Sequence, residues 1–222
     1  MGITVDVAYK SLNKYTEILC GDKVELLQTE DSNIMILADG MLGQMMEPVE
    51  IPDNPRTDLP EKPWATDGHK GKREHNVINS LYLTPQALEQ LSIERFKRYE
   101  VVKENEQRAE EYLTDDADII VVAYGASSRV AHSAVDSARE KGMKVGLIRP
   151  ITLWPFPTDA LKKAAKTAKS FLCVEMSMGQ MVDDVRLAIE CKRPVTFFGR
   201  TGGVIPTPAE ILNEIEKLGG AE

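Results

Sequence analysis

Residues 113–222 predict an α/β domain built on a parallel sheet. Short apolar, β-branched runs recur at 118–124, 144–148, 170–175 and 194–199. Each run precedes a stretch whose apolar residues are spaced for a helix, and the connections are short. Strands that are apolar at every position are covered on both faces, which marks a parallel sheet between two helix layers.

The elements follow in order. "DIIVVAY" (118–124) reads as a buried strand. Residues 127–142 read as a helix with a serine N-cap and Gly142 as its stop. "KVGLI" (144–148) is a strand, and 157–168 is a helix with Thr158 or Asp159 near its N-cap. "SFLCVE" (170–175) is a strand, 179–190 a helix, "PVTFFG" (194–199) a strand and 207–218 the last helix. In such sheets ligands and partner loops meet the C-terminal ends of the strands. Those ends carry Tyr124 to Ser128, Arg149 to Thr152, Glu175 to Gly179, and Gly199 to Gly203.

The first half is less regular. Val5, Ala8, Leu12, Tyr15 and Leu19 share a period near 3.6, which predicts an amphipathic helix over 4–19 closed by Gly21. Residues 22–32 fit neither pattern, and 34–38 predict a buried strand. Pro48, Pro52, Pro55, Pro60 and Pro63, with Gly68, Gly71 and many charges, mark 48–80 as a connector. Residues 85–112 predict a charged helix packed by one narrow face. The expected organisation is an N-terminal unit at 1–47, a connector with its helix at 48–112, and the α/β domain at 113–222.

Composition removes several function classes. The net charge is −8 and the pI about 5.1, which argues against nonspecific binding to nucleic acid or to an anionic membrane. No apolar run nears the ~18 residues of a membrane span. Cys20, Cys173 and Cys191 lie far apart and form no C-x-x-C pair, so zinc and iron–sulfur motifs cannot be built from them. Sparse cysteines without a signal peptide predict a reducing cytoplasm. His69, His75 and His132 have no metal-ligand spacing and read as surface or packing residues.

Several loops could carry function. "YGASSR" places Gly125, Ser127 and Ser128 at a helix start; it reads either as an anion-binding turn or as a plain serine-capped turn. "GRTGGVIP" reads either as a flexible arm carrying Arg200 on Gly202 and Gly203, or as a tight turn that docks the last helix. "IRPITLWPFP" holds Arg149 and Trp154 among three prolines; it is an interface anchor or a rigid crossover. Two stretches share an acid-x-x-x-Gly-Gln-Met pattern: Asp39, Gly43, Gln44 and Met45, and Glu175, Gly179, Gln180 and Met181. Both read either as strand ends covered by another protein surface, with methionine adapting to it, or as a recurrent turn. No nucleophile–histidine–acid set emerges, and no residue is assigned a catalytic or metal-binding role.

"ADGMLGQMMEPVEIP", "EKPWATDG", "ADIIVVAYGASSRVAHSAV", "GLIRPITLWPFP" and "GRTGGVIPTPAEI" together resemble the alpha-type subunit of the 2-oxoacid:ferredoxin oxidoreductases. The wording is that of the branched-chain (2-oxoisovalerate) type, with the 2-oxoglutarate type as its neighbour. The resemblance covers residues ~33–220. It implies an enzyme of anaerobic metabolism that oxidatively decarboxylates a 2-oxoacid, forms the acyl-CoA and passes electrons to ferredoxin. It implies thiamine diphosphate, magnesium, iron–sulfur clusters and CoA in the complex, with beta-type, gamma-type and ferredoxin-like subunits as partners. It also implies that 113–222 is similar to the transketolase C-terminal domain and that 1–47 is a remnant of a thiamine pyrimidine-binding domain. Residues 1–32 do not resemble the family, and the part that lines the thiamine site has no counterpart. The expectation is a truncated or rearranged subunit that binds no cofactor alone and is inactive in isolation.

Overall fold

A computed structural model describes residues 8–12, 15–20, 23–28, 68–75 and 81–220. Two sheets occur among them: one three-stranded, order β1-β2-β3, and one five-stranded, order β4-β6-β5-β7-β8.

The first sheet replaces the helix expected over 4–19. Strands β1 (Ala8–Leu12), β2 (Tyr15–Cys20) and β3 (Lys23–Gln28) form an antiparallel meander. The registered pairs run up to Leu12↔Tyr15 and Cys20↔Lys23. Antiparallel pairing that closes within so few residues is the hairpin pattern, which a helix over 4–19 cannot give. Tyr9, Tyr15, Thr16, Ile18 and Val24 are strand formers, and a short mixed window satisfies both periods. The strand expected at 34–38 lies outside the described residues.

Helix α1 (Pro85–Asn105) starts with Pro85 after Thr84 and buries no residue. It does not continue to 112 as expected. Residues 109–112 form β4 (Ala109–Tyr112), an antiparallel edge strand on β6 (Val145–Pro150). Ala109-Glu110-Glu111-Tyr112 favours a helix by propensity, but pairing prevails: Ile151 N and Thr152 N also donate to Arg108 O at 2.9 and 3.2 Å. The acids at the edge discourage pairing with another chain. The sheet is therefore mixed rather than wholly parallel, and it begins before residue 113.

The remaining strands are parallel: β5 (Ile119–Val122) pairs with β6 and with β7 (Ser170–Glu175), and β7 pairs with β8 (Val195–Gly199). Helices α2 (Gly125–Glu140), α3 (Thr158–Ala164), α4 (Met181–Ala188) and α5 (Pro208–Gly219) connect or follow them. Successive residues of β5 enter opposite cores. Ile120 and Val122 pack with Leu161 of α3 and Val182 and Val185 of α4. Ile119 and Val121 pack with Ala131, Ala134 and Val135 of α2 and Ile211 and Ile215 of α5. That two-sided burial is why the strand runs are apolar throughout.

The order places β5 at the centre. The chain leaves it toward β6, then recrosses to β7. The helices after β5 and β7 lie on opposite faces. Between the C-terminal ends of these two strands lies a topological switch point, where α/β sheets hold their ligands.

The bottom of the sheet is tight at Gly146. A Cβ there would sit 2.6 Å from Leu113 O and 2.9 Å from Thr114 Cα. Both are backbone atoms, which have little room to move. Gly146→Ala is expected to lower stability by about 1–3 kcal/mol, read as a lower urea midpoint with unchanged slope.

Candidate functional site

The C-terminal ends of the strands gather most of the residues singled out in the sequence. Glu175 ends β7 with 2 % of its surface exposed. A buried carboxylate needs donors on its oxygens, and the following turn supplies them. Val182 N donates to Oε1 at 2.9 Å, Met181 N to Oε2 at 3.1 Å, and Gln180 N lies 3.1 Å from Oε2. Ser177 Oγ donates to Oε2 at 2.9 Å, and Cys173 Sγ lies 3.5 Å from Oε1. Those amides open α4, so Glu175 acts as a remote cap that satisfies the helix start from the preceding strand.

The acid-x-x-x-Gly-Gln-Met pattern thus has a physical reading at its second copy. The acid caps, and Gln180 and Met181 supply amides. Gly179 takes φ +105° so that the loop can return over the strand, and its N–H donates to Ser177 Oγ at 3.0 Å. A Cβ on Gly199 would run into the Phe197 ring and Ser177 O, so that strand end also requires glycine. The first copy, with Asp39, Gly43 and Gln44, lies outside the described residues.

Burial and the Glu175 carboxylate push the Cys173 thiol well up, so it stays protonated and packs as an apolar side chain. Burial, then Asp183 and Glu175, raise Asp184.

Other expected site residues take structural partners. Arg200 is not carried on a free arm: its guanidinium pairs with Glu210 in the first turn of α5 and lies 5.8 Å from the Phe198 ring centroid. Its N–H donates to Glu175 O at 3.1 Å. Glu210 also accepts from Thr207 N at 2.9 Å, while Thr207 Oγ1 accepts from Glu210 N at 3.3 Å. This is a capping box, and its Thr-x-x-Glu spacing was readable in the sequence though not singled out there. Gly202 and Gly203, at φ +68° and +84°, turn the chain into α5.

Arg149 Nε donates to Glu110 Oε2 at 2.9 Å across a registered β4–β6 pair. Trp154 is 55 % exposed and meets the Tyr99 ring edge-on at 5.2 Å, tying α1 to the loop. Helix α2 has Tyr124 rather than a serine as N-cap and no side-chain cap; Ser127 and Ser128 lie buried inside its first turn. Ser128 Oγ donates to Gly125 O at 2.7 Å. His132 sits on α2, stacked on Tyr112 at 4.1 Å and 3.2 Å from Asp136, as a packing residue. Around the edge, Met178 (80 % exposed), Trp154 and Val204 leave apolar surface open. Ser177 is the site residue that no sequence signal marked.

Two consequences follow from these geometries. Glu175→Gln keeps the shape but turns a donor toward donors; it is expected to cost about 2–4 kcal/mol by chemical denaturation, whereas Glu190→Gln, which loses only exposed ion pairs with Lys162 and Lys192, shifts the midpoint far less. Glu210 is held below the usual carboxylate range by the Thr207 amide first and by Arg200 second. A depressed carboxyl stabilises above its unfolded pKa and loses that contribution as pH falls through the folded one. Amide protection factors in the first turn of α5, corrected for the intrinsic pH dependence of exchange, should therefore fall selectively on acidification below the usual glutamate range.

Comparison with known proteins gives these elements a context. Residues 117–211 match the family described as pyruvate:ferredoxin oxidoreductase core domain II. The chain is 42 % identical over 199 residues to ketoisovalerate oxidoreductase subunit VorB of Methanothermobacter marburgensis, covering 90 % of this chain and 56 % of that protein. It is 43 % identical over 102 residues to 2-oxoglutarate synthase subunit KorA of the same organism, covering 46 % of this chain and 27 % of that one. Among solved structures, 2-oxoglutarate:ferredoxin oxidoreductase from Magnetococcus marinus superposes with a TM-score of 0.50 at 20 % identity, over 61 % of this chain and 24 % of that chain, which supports the α/β fold. The chain spans a little over half the length of the curated relatives it matches. Residues 117–211 thus carry a domain of the pyruvate:ferredoxin oxidoreductase core domain II type, and over most of its length the chain is similar to ketoisovalerate oxidoreductase subunits.

Proposed function

We propose that this chain is part of a subunit of a branched-chain 2-oxoacid:ferredoxin oxidoreductase. The reaction takes a 2-oxoacid and CoA to acyl-CoA and carbon dioxide, with two electrons passing to ferredoxin. The observation that carries the reading is 42 % identity to the ketoisovalerate oxidoreductase subunit, sustained over 90 % of the chain. The local 43 % match to a 2-oxoglutarate synthase subunit favours 2-oxoglutarate as the second substrate to test.

The chain's own residues do not fit the redox and thiamine groups of such a reaction. A four-thiolate cluster needs more than the three cysteines present, and Cys173 is buried in the core as a thiol. The sequence holds no Gly-Asp-Gly with a downstream Asn for a diphosphate-bound magnesium. Among the described residues no group of three His, Cys, Asp or Glu side chains is placed to hold a metal. In this reading thiamine diphosphate, magnesium and the clusters are held elsewhere in the complex, with beta-type, gamma-type and ferredoxin-like subunits and ferredoxin itself as the partners. No described helix is long and apolar enough to cross a membrane, and we place the complex in the cytoplasm. The domain's part is to present a rigid strand-end surface, with Trp154, Met178 and Val204 open for contact.

The test is capture of this chain from its native anaerobic lysate. The eluate is assayed for CoA-dependent viologen reduction with 2-oxoisovalerate and, separately, with 2-oxoglutarate. Partner subunits co-eluting with 2-oxoisovalerate-dependent activity are the expected result, and the purified chain alone should reduce no dye. A chain that elutes alone and without activity would make it a non-catalytic module instead.

A further inference from the structure

We propose that β8 is a docking edge for a second copy of this chain, the two strands pairing antiparallel across a two-fold axis. β8 closes one side of the five-stranded sheet and pairs only with β7 among the described residues. Every residue of β8 keeps part of its surface open, whereas all four of β5 are buried. Along a strand the backbone polar groups of successive residues point to opposite sides. Phe171 N donates to Pro194 O, and Arg200 N to Glu175 O. Pro194, Thr196, Phe198 and Arg200 therefore turn their backbone groups to β7, and Val195, Phe197 and Gly199 turn theirs outward. Arg186, which reaches Val195 O from α4 at 3.5 Å, approaches from that outer side.

The two edges of this sheet are built differently. β4 carries Glu110 and Glu111, charges of the kind that keep an open edge from pairing. β8 reads Val-Thr-Phe-Phe-Gly, with no charge and no proline inside it, a composition that invites a further strand. The occupant must be extended and uncharged to match. Among the described strands that end a sheet, β1 carries Lys10, β3 carries Lys23 and Glu25, and β4 carries its glutamates. The matching edge is β8 itself.

The ladder is self-complementary. Its three outward residues are spaced by two and centred on Phe197. An antiparallel copy therefore sets Phe197 against Phe197 and Val195 against Gly199, each pair exchanging backbone bonds. On the α5 face, where Phe198 packs, Thr196 meets Phe198 of the second copy, a β-branched–aromatic pair of the stabilising kind. The charges beside the strand are paired within the chain: Arg186 with Asp183, Lys192 with Glu190 and Arg200 with Glu210. Arg193 donates to Ala165 O at 3.0 Å on the α3 face, away from Arg200, which turns to α5. Such a contact closes on itself and joins two sheets into one. A five-residue edge is small for an interface, so the dimer is weak and reversible. The inference does not depend on the proposed reaction.

The test is sedimentation velocity with amide hydrogen exchange on the full chain. The mean mass should rise from one chain toward two between about 1 and 200 µM. Over the same range the amides of Val195, Phe197 and Gly199 should gain protection in step with the dimer, while those of β4 stay as they are. Thr196→Lys places an ammonium against Phe198 of the second copy and should weaken association about tenfold; its urea midpoint shows whether the fold is kept, and where it is not, the exchange pattern of the unaltered chain decides. A chain that stays single to about 200 µM overturns the proposal. So does a dimer whose added protection falls on another surface such as α1, or equal association by a folded Thr196→Lys. Protection of β8 that appears only in a complex holding one copy of the chain gives the edge to another subunit and overturns it as well.

Discussion

One buried carboxylate organises the upper half of the domain. Glu175 ends a core strand, and its side chain takes the amides that open the next helix. An ionised group with 2 % exposure is sustainable only with such donors. The loop between strand and helix is thereby fixed in length and path. Ser177 must turn back to the carboxylate, Gly179 must take a positive φ, and Gly199 must stay bare where the loop crosses the neighbouring strand. The backbone of the same residue accepts from Arg200, whose side chain reaches Glu210 at the start of α5. One side chain and its own carbonyl therefore join β7, α4, β8 and α5.

Periodicity made the layered domain legible, and the reasons are local. Ile119 to Val122 are buried at every position, so the strand stands out as an unbroken apolar run. Helix stripes such as Ala131, Ala134, Val135 and Ala138 carry their own signal. The edge strand was not legible. Ala109 to Tyr112 has two half-buried and two exposed residues, and its glutamates are good helix formers. Only hydrogen bonds to β6, distant in sequence, select the strand. The N-terminal meander failed for a related reason: five apolar residues at helical spacing coincided with three short strands that pair with one another.

For the candidate site, residue choice was more legible than role. Glu175, Gly179, Gln180, Arg200, Gly202 and Gly203 do gather at the strand ends. Arg200 read equally as the cargo of a flexible arm or as part of a tight docking turn, because its glycines serve either and the spacing alone does not pair it with Glu210. Glu175 read either as a covered strand end or as part of a recurrent turn, because nothing along the chain announces that three amides will converge on it. Asp39, Gly43 and Gln44 share its spacing and lie outside the described residues.

The contrast between the two helix starts at the switch point bears on what the family resemblance means here. Both follow a core strand of the same sheet, and both meet the crevice where α/β folds place ligands. At α4 the protein supplies its own anion from Glu175. At α2 the first turn is Gly125, Ala126, Ser127 and Ser128, with no side-chain cap. A scaffold that only needed a stable turn would be served by an acid or a serine at the Tyr124 position, which typically adds about 1 kcal/mol. An aromatic at that position forgoes such a cap, and α2 is held instead by the stripe of Ala131, Ala134 and Ala138 packed on the sheet. One helix at the switch point is thus held at its start by a carboxylate, and the other along its length by packing.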